Sequence, residues 1–231
     1  MKHIHMKQVH YRFLLSLLML AGCGAAGDVA YAQSPVASSV RSSSAGDEVQ
    51  AAPLTAADRA WLARIESVMN STTTFKAHMQ QVDGEGKISS GTIWVKRPGQ
   101  MRLAYDPPSP ILMVANDNKI VFRDNQLDQT TVIPVERTPL GLLLGRHISF
   151  SDGVTVTGFH AEGGQIQVSV VRTSSPQDGS LTLVFNEKPV SLSSWSVLDA
   201  QGHETHVTLS DMQKNLPVSS DLFTLPAQPE E

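Results

Sequence analysis

From residue 75 onward the chain is cut at short intervals by tight-turn sequences, and this rhythm constrains the fold more than any other feature. Asp83-Gly-Glu-Gly86, Asn116-Asp-Asn118, Glu162-Gly-Gly164, Gln177-Asp-Gly179, Glu187-Lys-Pro189 and Ala200-Gln-Gly202 separate apolar, β-branched runs. Gly, Asn and Asp reach the backbone angles that short hairpin loops need, so the runs they join pair as antiparallel neighbours. The runs fall at 75–82, 87–97, 102–107, 111–115, 119–122, 130–135, 154–160, 165–172, 181–186, 192–198 and 204–210. No fixed repeat relates them. The expected fold class is therefore mainly β with α: a curved antiparallel sheet or incomplete barrel with helices across its open side.

Two segments break the strand pattern. Thr55-Ala-Ala-Asp58 has the form of a capping box, with Asp in place of Glu or Gln. Behind it Trp61, Leu62, Ile65, Val68 and Met69 recur at helical spacing, which predicts a helix packed on the sheet and ended by the polar run from Asn70 to Thr74. Thr138-Pro139 followed by Leu140, Leu142, Leu143, Leu144 and Gly145 predicts a short helix with Thr at the cap and Gly at the stop. That helix is apolar on nearly every side, so it is covered by protein or covers something greasy itself.

The beginning of the chain reads as an export signal. Lys2, Lys7 and Arg12 precede an apolar run from Phe13 to Ala21, far shorter than the roughly 20 residues a bilayer-spanning helix requires. Two processing sites compete. Ala30-Tyr31-Ala32 is a small-x-small site, giving a signal peptide over 1–32 and a periplasmic product starting at Gln33; Leu20-Ala21-Gly22-Cys23 fits a lipobox, with anchoring through an acylated Cys23. Residues 33–54, rich in Ser, Ala and Pro, read as a disordered leader or linker. One folded domain is expected over 55–227, with a tail at 228–231.

Cys23 is the only cysteine, which excludes an intrachain disulfide and any cysteine-based metal cluster. The formal net charge is −4, and loss of residues 1–32, which carry Lys2, Lys7, Arg12 and Asp28, takes it to −6. An acidic chain of this kind is ill suited to nucleic acid or an anionic membrane surface as its main partner.

No nucleophile elbow, phosphate-binding loop or dinucleotide fingerprint is present. His203 and His206 are three apart in a strand pattern and so point to opposite faces, which is a poor arrangement for one metal ion. Asp124 and Asp128 flank a turn, with nothing to separate their pKa values for acid–base work. No catalytic residue, metal ligand or cofactor is assigned, and the chain is not expected to be an enzyme.

The most informative local stretch is 92–108. It reads as a strand, a corner at Pro98-Gly99, and a second strand stopped by Pro107 and Pro108. Alternation puts Ile93, Val95 and Arg97 on one face, with Thr92, Trp94 and Lys96 on the other. An arginine ending an apolar face is costly without acceptors, which suggests a polar latch at the rim of a greasy surface; an edge arginine in water is the competing reading.

With Phe75, the hairpin after it, Gly91-Thr-Ile-Trp-Val-Lys-Arg-Pro-Gly99, residues 102–107, Phe122-Arg-Asp124, Leu127-Asp-Gln-Thr130, Thr138-Pro139 and Leu222-Phe223, the chain resembles the LolA family of periplasmic outer-membrane lipoprotein carriers. The resemblance runs over nearly all of the expected domain. It implies a half-barrel with a helical lid, and an acyl-binding cavity walled by Ile93, Val95, Met101, Leu103, Tyr105, Leu140, Leu143 and Leu144. It implies that Arg97 is the lid latch, hydrogen-bonded to lid residues in the closed, empty form. Acylated lipoproteins are the implied cargo, an inner-membrane ABC release complex the donor and an outer-membrane acceptor the recipient, with the carrier acting as a monomer. Met101 and Leu103 stand where the family often has aromatics. A lipid-anchored acceptor of the LolB kind, or a lipid- or partner-sensing module on the same fold, are the alternatives.

Overall fold

The computed structural model describes residues 49–226. The expected signal peptide, both processing sites, Cys23 and most of the Ser/Ala/Pro leader lie outside the described residues, as does the tail. Eleven strands form one sheet: β1 (Thr74–Val82), β2 (Ile88–Lys96), β3 (Gln100–Tyr105), β4 (Ile111–Asn116), β5 (Lys119–Asp124), β6 (Gln129–Pro134), β7 (Val154–Glu162), β8 (Gln165–Arg172), β9 (Gly179–Glu187), β10 (Val190–Asp199) and β11 (Glu204–Lys214). Their order is β6-β5-β4-β3-β2-β1-β11-β10-β9-β8-β7, and every pair is antiparallel. The sheet does not close, because β6 and β7 are its edges. Hairpins carry the chain outward from β1 to β6 and then inward from β7 to β11, where β11 pairs with β1.

The connection from β6 to β7 therefore joins the two free edges. It contains a 3-10 turn (Val135–Arg137) and the four-residue helix α2 (Gly141–Leu144). α2 is shorter than its sequence predicts, and its start differs. Leu140 takes the cap position without a side-chain bond, while the Thr138 hydroxyl donates back to the Val135 carbonyl at 3.0 Å. Pro139 lies before the helix rather than in its first turn, and Gly145 ends it as expected.

The longer helix α1 (Ala56–Ser71) starts at the predicted capping box. Thr55 Oγ1 accepts from the Asp58 amide, and Asp58 Oδ2 accepts from the Thr55 amide at 2.8 Å. α1 packs against β10 with Leu62, Ile65 and Met69 buried, while Trp61 and Val68 pack at the edge of the same core. The Ala52 amide donates to Val156 of β7 at 2.8 Å, and Ala52 and Leu54 pack on the core, so the last part of the leader is held against an edge strand.

Alternation assigns the two faces of the sheet. Phe75, Ala77 and Met79 of β1, Ile93 and Val95 of β2, Met101 and Leu103 of β3 and Leu181, Leu183 and Phe185 of β9 are all buried in the main core on the inner face, under α1. Val114 and Val121, fully buried, belong to the opposite face, with Phe223 of the C-terminal 3-10 turn (Ser220–Phe223). That turn lies on β3 and β4, where Arg102 donates to the Leu222 carbonyl and Asn116 to the Phe223 carbonyl.

Candidate functional site

Inner-face strands meet both helices at the β2–β3 corner. β2 ends at Lys96, so Arg97 continues the inner-face alternation into the turn. Its guanidinium donates to the Met69 and Thr72 carbonyls at the C-terminus of α1. The last carbonyls of a helix have no intrahelical partner and carry its negative dipole end, and α1 has no basic residue of its own in the last turn. Arg97 supplies that charge from the sheet. Burial lowers its pKa from the ordinary arginine value by desolvation.

Two residues on, Gly99 sits at φ +77, in the left-handed region, and its amide donates to the Leu144 carbonyl of α2 at 2.8 Å. One corner thus holds both helices, α1 through a side chain and α2 through the backbone. This modifies the latch drawn from the resemblance: Arg97 bonds the long helix, whereas the short helix is bound by Gly99. α1 is also tied to the chain that follows α2. Asn70 donates to the Ile148 carbonyl and accepts from its amide, at 2.8 and 2.9 Å, and Glu66 accepts from the Phe150 amide. Glu66 and Asn70 are four apart, on one face of α1.

Beneath this junction lies a first hollow, lined by Ile93, Val95, Met101, Leu143, Leu144 and Arg97 of the expected set. Val68, Met69, Phe75, Leu192, Trp195 and Met212 complete its apolar wall, with Thr72 and Lys214 adding polar groups. The volume open to water centres is ≈ 30 Å³, room for about two waters. Side chains have almost closed it. Met69, Met101 and Met212 are unbranched and adaptable, so the wall can yield to a flexible guest.

Three expected wall residues lie elsewhere. Leu103 is buried in the core without lining the hollow, and Leu140 packs partly exposed beside it. Tyr105 shares the inner-face parity of Met101 and Leu103, but its hydroxyl donates to Gln81 Oε1 at 2.8 Å. Burial pushes its pKa up to about 12, with the Gln81 bond opposing that rise. The α1 and β10 contributions had a signal in sequence, the helical stripe and the apolar run at 192–198, but no spacing rule says that these segments face the β2–β3 corner.

A second hollow lies on the other side of α2. It offers ≈ 210 Å³ to water centres and is lined by α2 and the chain after it, with Val154, Val170, Leu181, Leu183 and Arg172 of β7–β9. Leu143 borders both hollows.

The residues examined for chemistry are engaged locally. His203 Nδ1 is 3.2 Å from Asp199 Oδ2 and His206 Nδ1 is 2.9 Å from Ser196 Oγ, while Asp124 caps the turn amides of Gln126 and Leu127 and Asp128 pairs with Arg123. Among the described residues no cluster of His, Cys, Asp or Glu could hold a metal ion.

An open antiparallel sheet with an apolar inner face, roofed by two latched helices over hollows lined mainly by apolar groups, defines a binding fold for greasy ligands. The family described as outer membrane lipoprotein carrier protein LolA matches residues 70–226, and the chain belongs to that family. Among similar proteins, the outer-membrane lipoprotein carrier protein of Pseudomonas aeruginosa strain PAO1 is 26% identical over 181 residues, covering 74% of this chain and 86% of that protein. The protein of the same description from Chromohalobacter salexigens is 27% identical over 187 residues, covering 75% and 87%. A LolA superfamily protein from Nitrosomonas europaea, of known crystal structure, overlaps loosely, with a TM-score of 0.43 and 7% identity over 71% of this chain and 97% of that one.

Proposed function

We propose that this protein is a periplasmic carrier that shelters the acyl chains of lipoproteins on its inner face and delivers them from inner to outer membrane. An inner-membrane ABC release complex loads it, an outer-membrane acceptor unloads it, and it acts as a monomer without catalysis. The observation that carries this reading is the nearly closed, methionine-lined hollow beneath the corner where Arg97 and Gly99 hold α1 and α2. Family membership and the printed descriptions of the relatives support it. Cleavage after Ala32, releasing Gln33 as the new N-terminus, belongs to the same proposal.

The energetics of carriage favour a closed empty state. Burying acyl chain gains about 0.8 kcal/mol per CH₂, so several fully buried chains reach tens of kcal/mol and leave too slowly to be handed on. A closed state stabilised by its own hydrogen bonds lowers the apparent affinity by the free energy of opening. Arg97, committed to two carbonyls of α1, contributes to that state.

Arg97→Leu is expected to accept lipoprotein from donor membranes but to pass it on poorly, accumulating loaded protein. The check is a reconstituted assay scoring release and transfer to acceptor separately; transfer at the wild-type rate rejects the latch. The Leu20-Ala21-Gly22-Cys23 sequence favours a second reading, an anchored acceptor. Intact mass of the product from a Gram-negative host separates the two: a soluble chain starting at Gln33 supports the carrier, and an acylated Cys23 supports the acceptor.

A further inference from the structure

Arg172 is the last residue of β8 and shares inner-face parity with Ile166, Val168 and Val170, all buried. It lines the larger hollow among Leu181, Leu183, Val170 and Phe150. A Cβ built on Gly141, the first residue of α2, would lie 3.3 Å from Arg172 Nη2, so the guanidinium rests against the start of the lid helix. Asp152 lines the same hollow but forms no ion pair with it. Among the described residues the Arg172 side chain has no hydrogen-bond acceptor and no carboxylate partner.

A guanidinium has five N–H donors and does not lose its charge. Partly buried at the side of the hollow, with none of those donors engaged, it is free to bond a guest that enters there. Arg97, the arginine of the first hollow, is by contrast bonded through Nη2 to two carbonyls at the C-terminus of α1. A ligand with carbonyl oxygens at the head of its hydrocarbon would supply what Arg172 lacks. Geometry agrees: Leu143 is the shared wall of the two hollows, so a chain whose head sits at Arg172 runs past Leu143 towards the methionine-lined hollow.

Resting on the carrier reading above, we propose that the hollow between α2 and β7–β9 is a head-group subsite in which Arg172 donates to the ester carbonyls at the root of the cargo's acyl chains. The tails then occupy the Arg97-side hollow. The subsite discriminates carbonyl-headed acyl ligands from plain hydrocarbon.

The test uses the mature chain and two probes: a tripalmitoyl-S-glyceryl-cysteinyl peptide, and its counterpart in which both glyceryl esters are replaced by ethers. Wild-type protein is expected to bind the ester form about tenfold more tightly, the scale of one hydrogen bond to a charged group. Arg172→Gln is expected to abolish that preference while leaving affinity for the ether form unchanged, and Arg172→Lys to retain part of it. Retention of the full preference by Arg172→Gln, or an equal loss for both probes, overturns the subsite. If wild-type protein binds neither probe, the carrier reading itself falls; if it binds both and the Arg172 variants match it, only the subsite does.

Discussion

Tyr105, which the family resemblance puts in the cavity wall, bonds across the sheet and does not line the first hollow. It shares the inner-face parity of Met101 and Leu103, but its hydroxyl reaches Gln81 on β1 from β3, across β2. The residue paired with Tyr105 on that intervening strand is Gly91, where a Cβ would come 2.3 Å from the Ala104 carbonyl oxygen. Only glycine leaves a gap there, since any side chain would collide with the β3 backbone at Ala104 and Tyr105. Neither the bond nor the gap is legible in sequence, since both depend on the register of three strands. A phenol raised to about 12 in the folded state, against about 10 unfolded, favours folding fully below pH 10, and that contribution is lost as pH rises towards 12. Ultraviolet titration of the phenolate is expected to show one tyrosine ionising near 12, and stability should decline from pH 10 upward less steeply in Tyr105→Phe. An ordinary tyrosine titration near 10 in the folded protein counts against this placement.

At the scale of elements, the helical stripe and capping box of α1 were legible because they depend on spacing alone. So was the helix terminator at Asn70–Thr74, although its first residue does more than stop the helix. Asn70 makes both backbone bonds of Ile148, 78 positions away, and Glu66 takes the amide of Phe150. Such a clamp has no sequence signature; a polar residue at a helix end reads as solvent-facing until its distant partner is known. α2 was legible as apolar but not as so short, since Gly141 within it and Pro139 before it leave only Leu142–Leu144 with strong helix preference. Asn70→Ala removes two hydrogen bonds to backbone, worth about 1–3 kcal/mol together. Amide exchange at Ile148 is expected to speed up by tenfold or more, with the core strands β9 and β10 little affected. Uniform acceleration across the sheet would instead mean that Asn70 supports the global fold.

For the whole molecule, turn chemistry alone reached the antiparallel sheet and most of its strand boundaries, because each hairpin is specified by adjacent residues. The pairing of β1 with β11 and the free edges at β6 and β7 are long-range facts that no local signal encodes. The second buried group was likewise hidden. Val114 and Val121 sit in runs where both alternating sets are apolar, so the sequence does not say that the outer face also needs covering. Phe223, with no exposed surface, provides that cover together with the backbone bonds from Arg102 and Asn116. Phe223→Ala is expected to cost about 3–5 kcal/mol, measured as a lower urea midpoint, and to free the C-terminal segment for proteolysis before the sheet unfolds. A loss under about 1 kcal/mol would show that this cover contributes little.

The path of the chain from β6 to β7 has a mechanical meaning. Its nineteen residues, from Val135 to Gly153, leave one rim of the sheet and arrive at the other, as a bucket handle joins opposite sides of its bucket. A handle swings without being unhooked. Fully drawn out, this one could reach roughly 65 Å, and the 3-10 turn and α2 keep part of that length coiled. Releasing the clamps at Gly99, Glu66 and Asn70 would free the handle to lift while every strand keeps its partners. On the proposed carrier reading, filling and emptying would then cost a few hydrogen bonds rather than any part of the sheet.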